Sequence, residues 1–160
     1  MMLYDFANEL AGRVLKTIEP HIVKGQIAGS IQRKKKQVHD VDIVIIPKPF
    51  TFTGVIPTTL IKELGAEILR SGPKILAVTI DGNQVDIYAA NEQDWGIQIL
   101  RWTGSKEHNI WLCNRAIDKG MKLAVSHGLE KEGKVIASRS EEDIFKVLEL
   151  PWIEPAEREK

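Results

Sequence analysis

Cysteine is nearly absent from this chain: Cys113 stands alone. A single thiol excludes an intramolecular disulfide. The four histidines, His21, His39, His108 and His127, show no zinc-ligand spacing with it. Long apolar runs are missing as well, since no stretch approaches the ~20 residues of a membrane span. The opening Met-Met-Leu-Tyr-Asp lacks the basic and apolar regions of a secretion signal. These absences give the expectation of a reducing, cytoplasmic setting with no membrane partner. Charge of one sign is also lacking: 22 basic residues offset 22 acidic ones, so bulk electrostatics do not mark a nucleic-acid binder. What remains is an ordinary globular composition. With 43% hydrophobic residues in a chain of 160, a sizeable core can be buried without staples.

The densest chemical information lies between Gly29 and Ile46. Gly29-Ser30-Ile31-Gln32-Arg33 is followed by Lys34, Lys35 and Lys36, then by His39-Asp40-Val41-Asp42 and the apolar run Ile43 to Ile46. Strand side chains alternate between faces, so Asp40 and Asp42 emerge on one side, about 6.6 Å apart, while Val41 turns into the core. An Asp-x-Asp pair alone is commonly a solvated edge, and Gly-Ser alone is commonly a turn. Here the run Val41–Ile46 suits an interior strand covered on both faces. Two carboxylates at its mouth carry desolvation and repulsion costs unless a cation compensates. A glycine-serine turn beside such a pair suits a divalent metal carrying a nucleoside triphosphate. The basic run Arg33–Lys36 reads equally as a solvated loop or as a phosphate contact, and both readings stay open.

Periodicity supplies the surrounding elements. Leu3, Phe6, Ala7, Leu10, Val14, Leu15 and Ile18 recur at helical spacing, and Pro20 ends that helix. Residues 22–28 and 41–46 read as strands. The prolines at 47, 49 and 57 mark a loop, and 58–69 reads as a helix closed by Gly72-Pro73. Strands at 74–80 and 84–89 flank Asp81-Gly82-Asn83, a strong hairpin signal. Asp86 sits in the second of them. Beyond residue 90, Asn91 caps a helix to about Trp102 and Ser105 caps another ending near Gly120. Short strands at 121–125 and 135–137 enclose a turn region from Gly128 to Gly133. Ser140 then caps a last helix that Pro151 stops.

Asp86 would complete a catalytic trio. If its strand lies beside that of Asp42, three carboxylates converge on two cations about 3.5–4 Å apart. Otherwise it is an ordinary cross-strand ion-pair partner. At this point the sequence resembles the family X DNA polymerases, the group of DNA polymerase beta. Gly29-Ser30-x-x-Arg33 with Asp40-Val41-Asp42 is similar to that family's triphosphate turn and metal motif, and Val85-Asp86-Ile87 to its third aspartate. Trp102-Thr103-Gly104-Ser105-Lys106-Glu107-His108-Asn109 resembles its nucleotide-sugar motif. Ser140 to Phe145, Leu150-Pro151-Trp152 and Glu154-Pro155 to Glu159 resemble its C-terminal signature.

The resemblance implies an α+β fold: a nucleotidyltransferase palm over 1–90, with a mixed sheet flanked by helices, and a small α+β subdomain over 91–160 that closes on the nascent base pair. It implies two magnesium ions, which manganese can replace, held by Asp40, Asp42 and Asp86, with Asp86 helping the 3′-hydroxyl to deprotonate. Ser30 and Arg33 would hold the β- and γ-phosphates, aided by backbone amides at Gly29 and His39. Thr103-Gly104 would turn beneath the sugar, with Arg101 and Trp102 against it, Asn109 at the base edge and Lys106 near the base. Lys34, Lys35 and Lys36 would meet DNA, and the partners would be a nucleoside triphosphate and a primer or gapped DNA. Read without the resemblance, Trp102 is a core residue, Asn109 a solvated helix residue and Lys106 a surface charge.

The chain also departs from the family pattern. It begins at the palm, with no counterpart expected to the lyase and helix-hairpin-helix segments of larger relatives. Trp111 and Cys113 stand where arginines are usual, which motivates template-independent nucleotidyl transfer as an alternative. Arg101-Trp102 replaces the common Tyr-Phe pair, which implies weak discrimination against ribonucleotides. A non-catalytic DNA-binding module is the third reading, and the complete carboxylate trio counts against it.

Overall fold

The computed structural model describes residues 1–159. The chain divides into two compact units, one of Met1–Ala90 and one beginning at Asn91. In the first, a two-residue strand β1 (Met2–Leu3) leads into α1 (Tyr4–Ile18), followed by a single 3-10 turn and β2 (Ile22–Ile27). Next come α2 (Gly29–Gln32), β3 (Gln37–Val38), β4 (Val41–Pro47) and α3 (Val55–Leu64). Strands β5 (Glu67–Ser71), β6 (Ile75–Ile80) and β7 (Asn83–Ala89) complete the unit.

Five of these strands form one mixed sheet in the order β2-β4-β7-β6-β5. Every pairing in it is antiparallel except β4 with β7, which run parallel at its centre. Alternation then decides the faces. Val41, Ile43 and Ile45 of β4 join Val85 and Ile87 of β7 and Leu76, Val78 and Ile80 of β6 on the face that holds the core. Ala7, Leu10, Ala11, Val14 and Ile18 of α1, with Ile56 and Leu60 of α3, complete that cluster. Each large aliphatic chain so buried contributes roughly 1.5–3 kcal/mol. Asp42 and Asp86 point to the other face, so the hydrophobic layer fixes their strands without covering them.

The second unit starts with α4 (Trp95–Thr103) and α5 (Lys106–Asp118). A three-stranded antiparallel sheet follows, built from β8 (Lys122–Ala124), β9 (Gly128–Lys131) and β10 (Lys134–Ala137), with β9 in the middle. Helix α6 (Glu141–Val147) comes next. Ile97, Leu100, Leu112, Ala116, Leu123, Leu129, Ile144, Phe145 and Leu148 form a core of its own. Ser105 caps α5 by accepting from the His108 amide at 3.1 Å, and Ser140 caps α6 in the same way from Asp143. Arg158 is fully buried, paired with Glu141, with its guanidinium 5.2 Å from the Phe145 ring and 4.8 Å from that of Trp152.

The α+β class and the helix-flanked mixed sheet agree with expectation. Several elements do not. The helix expected at 58–69 runs from Val55 to Leu64, with Pro57 inside its first turn, where no amide donor is needed. It stops at Gly65, whose backbone is left-handed, and Glu67–Ser71 is an exposed edge strand on β6. The apolar pair Ile68-Leu69 suits either helix or strand, and pairing with β6 decides it. Leu3 and Phe6 are exposed rather than part of the buried stripe of α1; Leu3 precedes the helix, in β1, opposite Gln37 of β3. Gly29-Ser30 opens a four-residue helix rather than a simple turn. The helix expected from Asn91 begins at Trp95, since Asn91 and Asp94 exchange side-chain-to-amide bonds of 2.8 and 2.9 Å ahead of it. The Gly128–Gly133 region carries strand β9.

Candidate active site

β4 is the pivot of the site. Its neighbour β7 places Asp86 directly beside Asp42 in parallel register. Adjacent strands lie about 4.8 Å apart, and paired residues of a parallel ladder face the same side. Asp40 sits one residue ahead of the strand, half-buried. On the other flank, the Ala28 amide donates to the Asp42 carbonyl at 2.8 Å and delivers Gly29 against the Asp42 side chain. Gly29 has φ +62°, and a Cβ built on it would lie 2.1 Å from Asp42 Oδ2. Only glycine fits both constraints.

The electrostatics follow from this crowding. Burial pushes the Asp42 carboxyl up to about 7; the Tyr88 hydrogen bond and Arg33 oppose the rise, while Asp86 and Asp40 add to it. Burial also raises Asp86, again reinforced by Asp40 and opposed by a bond from Gln84. The three carboxylates therefore feel one another. Tyr88 donates its hydroxyl to Asp42 Oδ1 at 3.1 Å, and Gln84 Nε2 donates to Asp86 Oδ1 at 3.0 Å. Among the described residues, no three His, Cys, Asp or Glu side chains are gathered tightly enough to hold a metal ion. The structure thus brings Asp42 beside Asp86 and Asp40 into their field, without closing the three around a point. The donor chemistry nevertheless fits a hard divalent cation: all-oxygen ligands, partly desolvated, whose mutual repulsion an ion of charge +2 would relieve.

The other expected residues are distributed as follows. Ser30 lies in α2, its carbonyl accepting from the Lys35 amide, and Arg33 ends that turn with its own amide bonded to the Gly29 carbonyl. Lys34, Lys35, Lys36 and His39 are exposed around β3. In the second unit, Arg101, Trp102 and Thr103 close α4, and Gly104 joins Ser105 through a cis peptide bond. The Arg101 guanidinium lies 4.4 Å over the Trp102 ring, and the Trp102 indole donates to Gln98 Oε1 at 3.2 Å. Lys106 is exposed at the start of α5. Asn109 turns its amide inward, donating to the Arg101 carbonyl at 3.1 Å. Trp102 and Asn109 are thus structurally engaged where they stand.

Comparisons with known proteins address the same segments. The family model described as DNA polymerase beta thumb matches residues 98–159. Repair DNA polymerase X of African swine fever virus is 25% identical over 159 residues, covering 95% of this chain and 89% of the viral protein. Over most of its length this chain is similar to family X DNA polymerases. It is also similar to DNA polymerase IV of Saccharomyces cerevisiae, 36% identical over 81 residues, which are 49% of this chain and 14% of the yeast protein. The PolX DNA polymerase/3′-5′ exonuclease of Bacillus subtilis is 26% identical over 145 residues, 87% of this chain and 25% of that protein. The chain therefore spans a small part of the yeast and bacterial relatives and most of the viral one.

Three side chains at these sites escaped the sequence reading. Gln84 and Tyr88 flank Asp86 at two-residue spacing, so alternation along β7 was the available signal. Gln98, four residues before Trp102, was signalled only by helical spacing.

Proposed function

We propose that this chain adds nucleotides to the 3′-hydroxyl of a DNA primer, in gap-filling repair synthesis dependent on magnesium. The observation that carries this reading is the register of Asp42 with Asp86, beside a glycine whose missing side chain leaves room for Asp42. Divalent ions bound there would lower the hydroxyl's pKa and mask the triphosphate charge. Asp40, Asp42 and Asp86 would hold them, and manganese would satisfy the same oxygen donors. Asp86 would accept the hydroxyl proton as the 3′-oxygen bonds to the α-phosphorus and pyrophosphate departs. Ser30 Oγ and the Arg33 guanidinium would hold the β- and γ-phosphates, with Gly29 and His39 contributing amides. Arg101, Trp102, Thr103, Gly104, Lys106 and Asn109 would frame sugar and base, which for Asn109 requires leaving its Arg101 carbonyl. Lys34, Lys35 and Lys36 would meet DNA phosphates, so binding should weaken steeply with salt.

The test is extension across a one-nucleotide gap with magnesium and each nucleotide. The intact chain should fill the gap, and Asp86→Ala should slow it by roughly 10²–10⁴-fold. An intact chain that extends nothing would remove the proposal.

One observation favours a second reading. Cys113, where the family resemblance leads one to expect an arginine, packs against the core of its own unit and bonds the Leu123 carbonyl at 3.8 Å. A thiol so engaged offers no charged contact to a template strand, which favours template-independent addition. Equal rates with and without template would establish it.

As to setting, no helix among the described residues is long and apolar enough to cross a membrane.

A further inference from the structure

We propose that Tyr88 is a positioning residue for Asp42, holding that carboxylate in the attitude from which it takes up a divalent cation. The inference rests on the reading of Asp42 as a metal ligand. Tyr88 lies two residues beyond Asp86 on β7, so the two share a face. Its register partner is Val44, likewise two residues beyond Asp42. The ring therefore leans back along the strand pair, and its hydroxyl crosses to β4 to donate to Asp42 Oδ1 at 3.1 Å. On the near side of Asp86, Gln84 plays a parallel part by donating to Asp86 Oδ1. One face of β7 thus presents a neutral donor, an acid and a second neutral donor in succession. Tyr88 is buried, so its ring is held by packing and its hydroxyl is aimed at Asp42.

The orientation of Asp42 needs such a partner. A carboxylate turns easily about its last bond, and the fields of Asp86 and Asp40 repel it. Gly29 limits the Oδ2 side, and the phenol fixes the Oδ1 side. Each carboxylate oxygen offers two lone pairs, so one bond from Tyr88 leaves both oxygens able to ligate. Hydrogen bonds to ligating carboxylates typically alter metal affinity 10–100-fold. A blocking role, in which the phenol competes with the ion, predicts the opposite sign.

The experiment uses the full chain without DNA or nucleotide and titrates Mn²⁺, reading free ion by electron paramagnetic resonance. Tyr88→Phe keeps the ring, and a melt in EDTA checks its fold. Its affinity for Mn²⁺ should fall roughly 10–100-fold, and adding Tyr88→Phe to Asp42→Asn should cause no further loss. Unchanged or tighter binding by Tyr88→Phe overturns the proposal, as does an additive loss in the double variant. A chain that binds Mn²⁺ but extends no primer removes the polymerase reading and leaves this one standing. A chain that extends primers while Tyr88→Phe binds Mn²⁺ normally does the reverse.

Discussion

Gly29 concentrates two demands on one position. Its backbone is left-handed, and its missing Cβ makes room for Asp42 Oδ2. An alanine there pays roughly 1–2 kcal/mol for the conformation, and its methyl must also turn the Asp42 carboxylate aside. We expect Gly29→Ala to lower stability by about that amount in urea unfolding, and to lower primer extension by ~100-fold or more. Activity surviving intact would show that the attitude of Asp42 is immaterial. The glycine and the three aspartates were legible in the sequence because their residue types and spacing are unusual together. Tyr88 was not, because an aromatic on a β-strand is ordinarily a packing residue and only the fold shows where its hydroxyl ends.

Among elements, the most reliable were those whose periodicity and punctuation agreed. The stripe of α1, the hairpin at Asp81-Gly82 and the Ser105 and Ser140 caps are local signals, and the observed elements follow them. Strand β5 failed because nothing local distinguishes Glu67–Ser71 from a helical continuation, and its pairing with β6 is a tertiary fact. Strand β9 failed because Gly128 at its start and Gly133 in the turn beyond it masked it. Tight packing between elements was equally hidden. Gly96 on α4 lies so close to the start of α6 that a Cβ would fall 2.4 Å from the Ser140 backbone. Main chain yields poorly, so Gly96→Ala should destabilise by at least ~1–3 kcal/mol. Unfolding monitored by tryptophan fluorescence would read it, and an unchanged midpoint would contradict the close approach.

At the scale of the whole molecule, the response to acid sums opposing groups. Asp42 and Asp86 have raised pKa values, so their protonation as pH falls favours the folded state. His108 acts the other way. It is buried beside Trp111 and Phe145, at ring distances of 5.7 and 6.2 Å. Burial first, and then the Arg158 charge, lower its pKa to about 4. The folded value lies below the unfolded ~6.5, so the unfolded chain takes the proton first. The stability held by neutral His108 is complete above about pH 6.5, declines as pH falls toward 4, and declines no further below that. The full span is on the order of 3 kcal/mol. His108→Phe should remove this contribution, so the stability difference between the two chains should change between pH 7 and pH 4 in urea titrations. A constant difference would refute the assignment.

The parallel pairing of β4 with β7 has one further consequence, for how the gene can vary in length. A single codon gained between Gly82 and Asp86 would, if the hairpin end of β7 kept its place, leave the aspartate on the oily side and bring a neighbour beside Asp42. Two codons would restore the facing but shift the partner. Lengthening is therefore harmless at the tip of the hairpin and ruinous a few positions later, so natural insertions here should cluster at Asp81-Gly82.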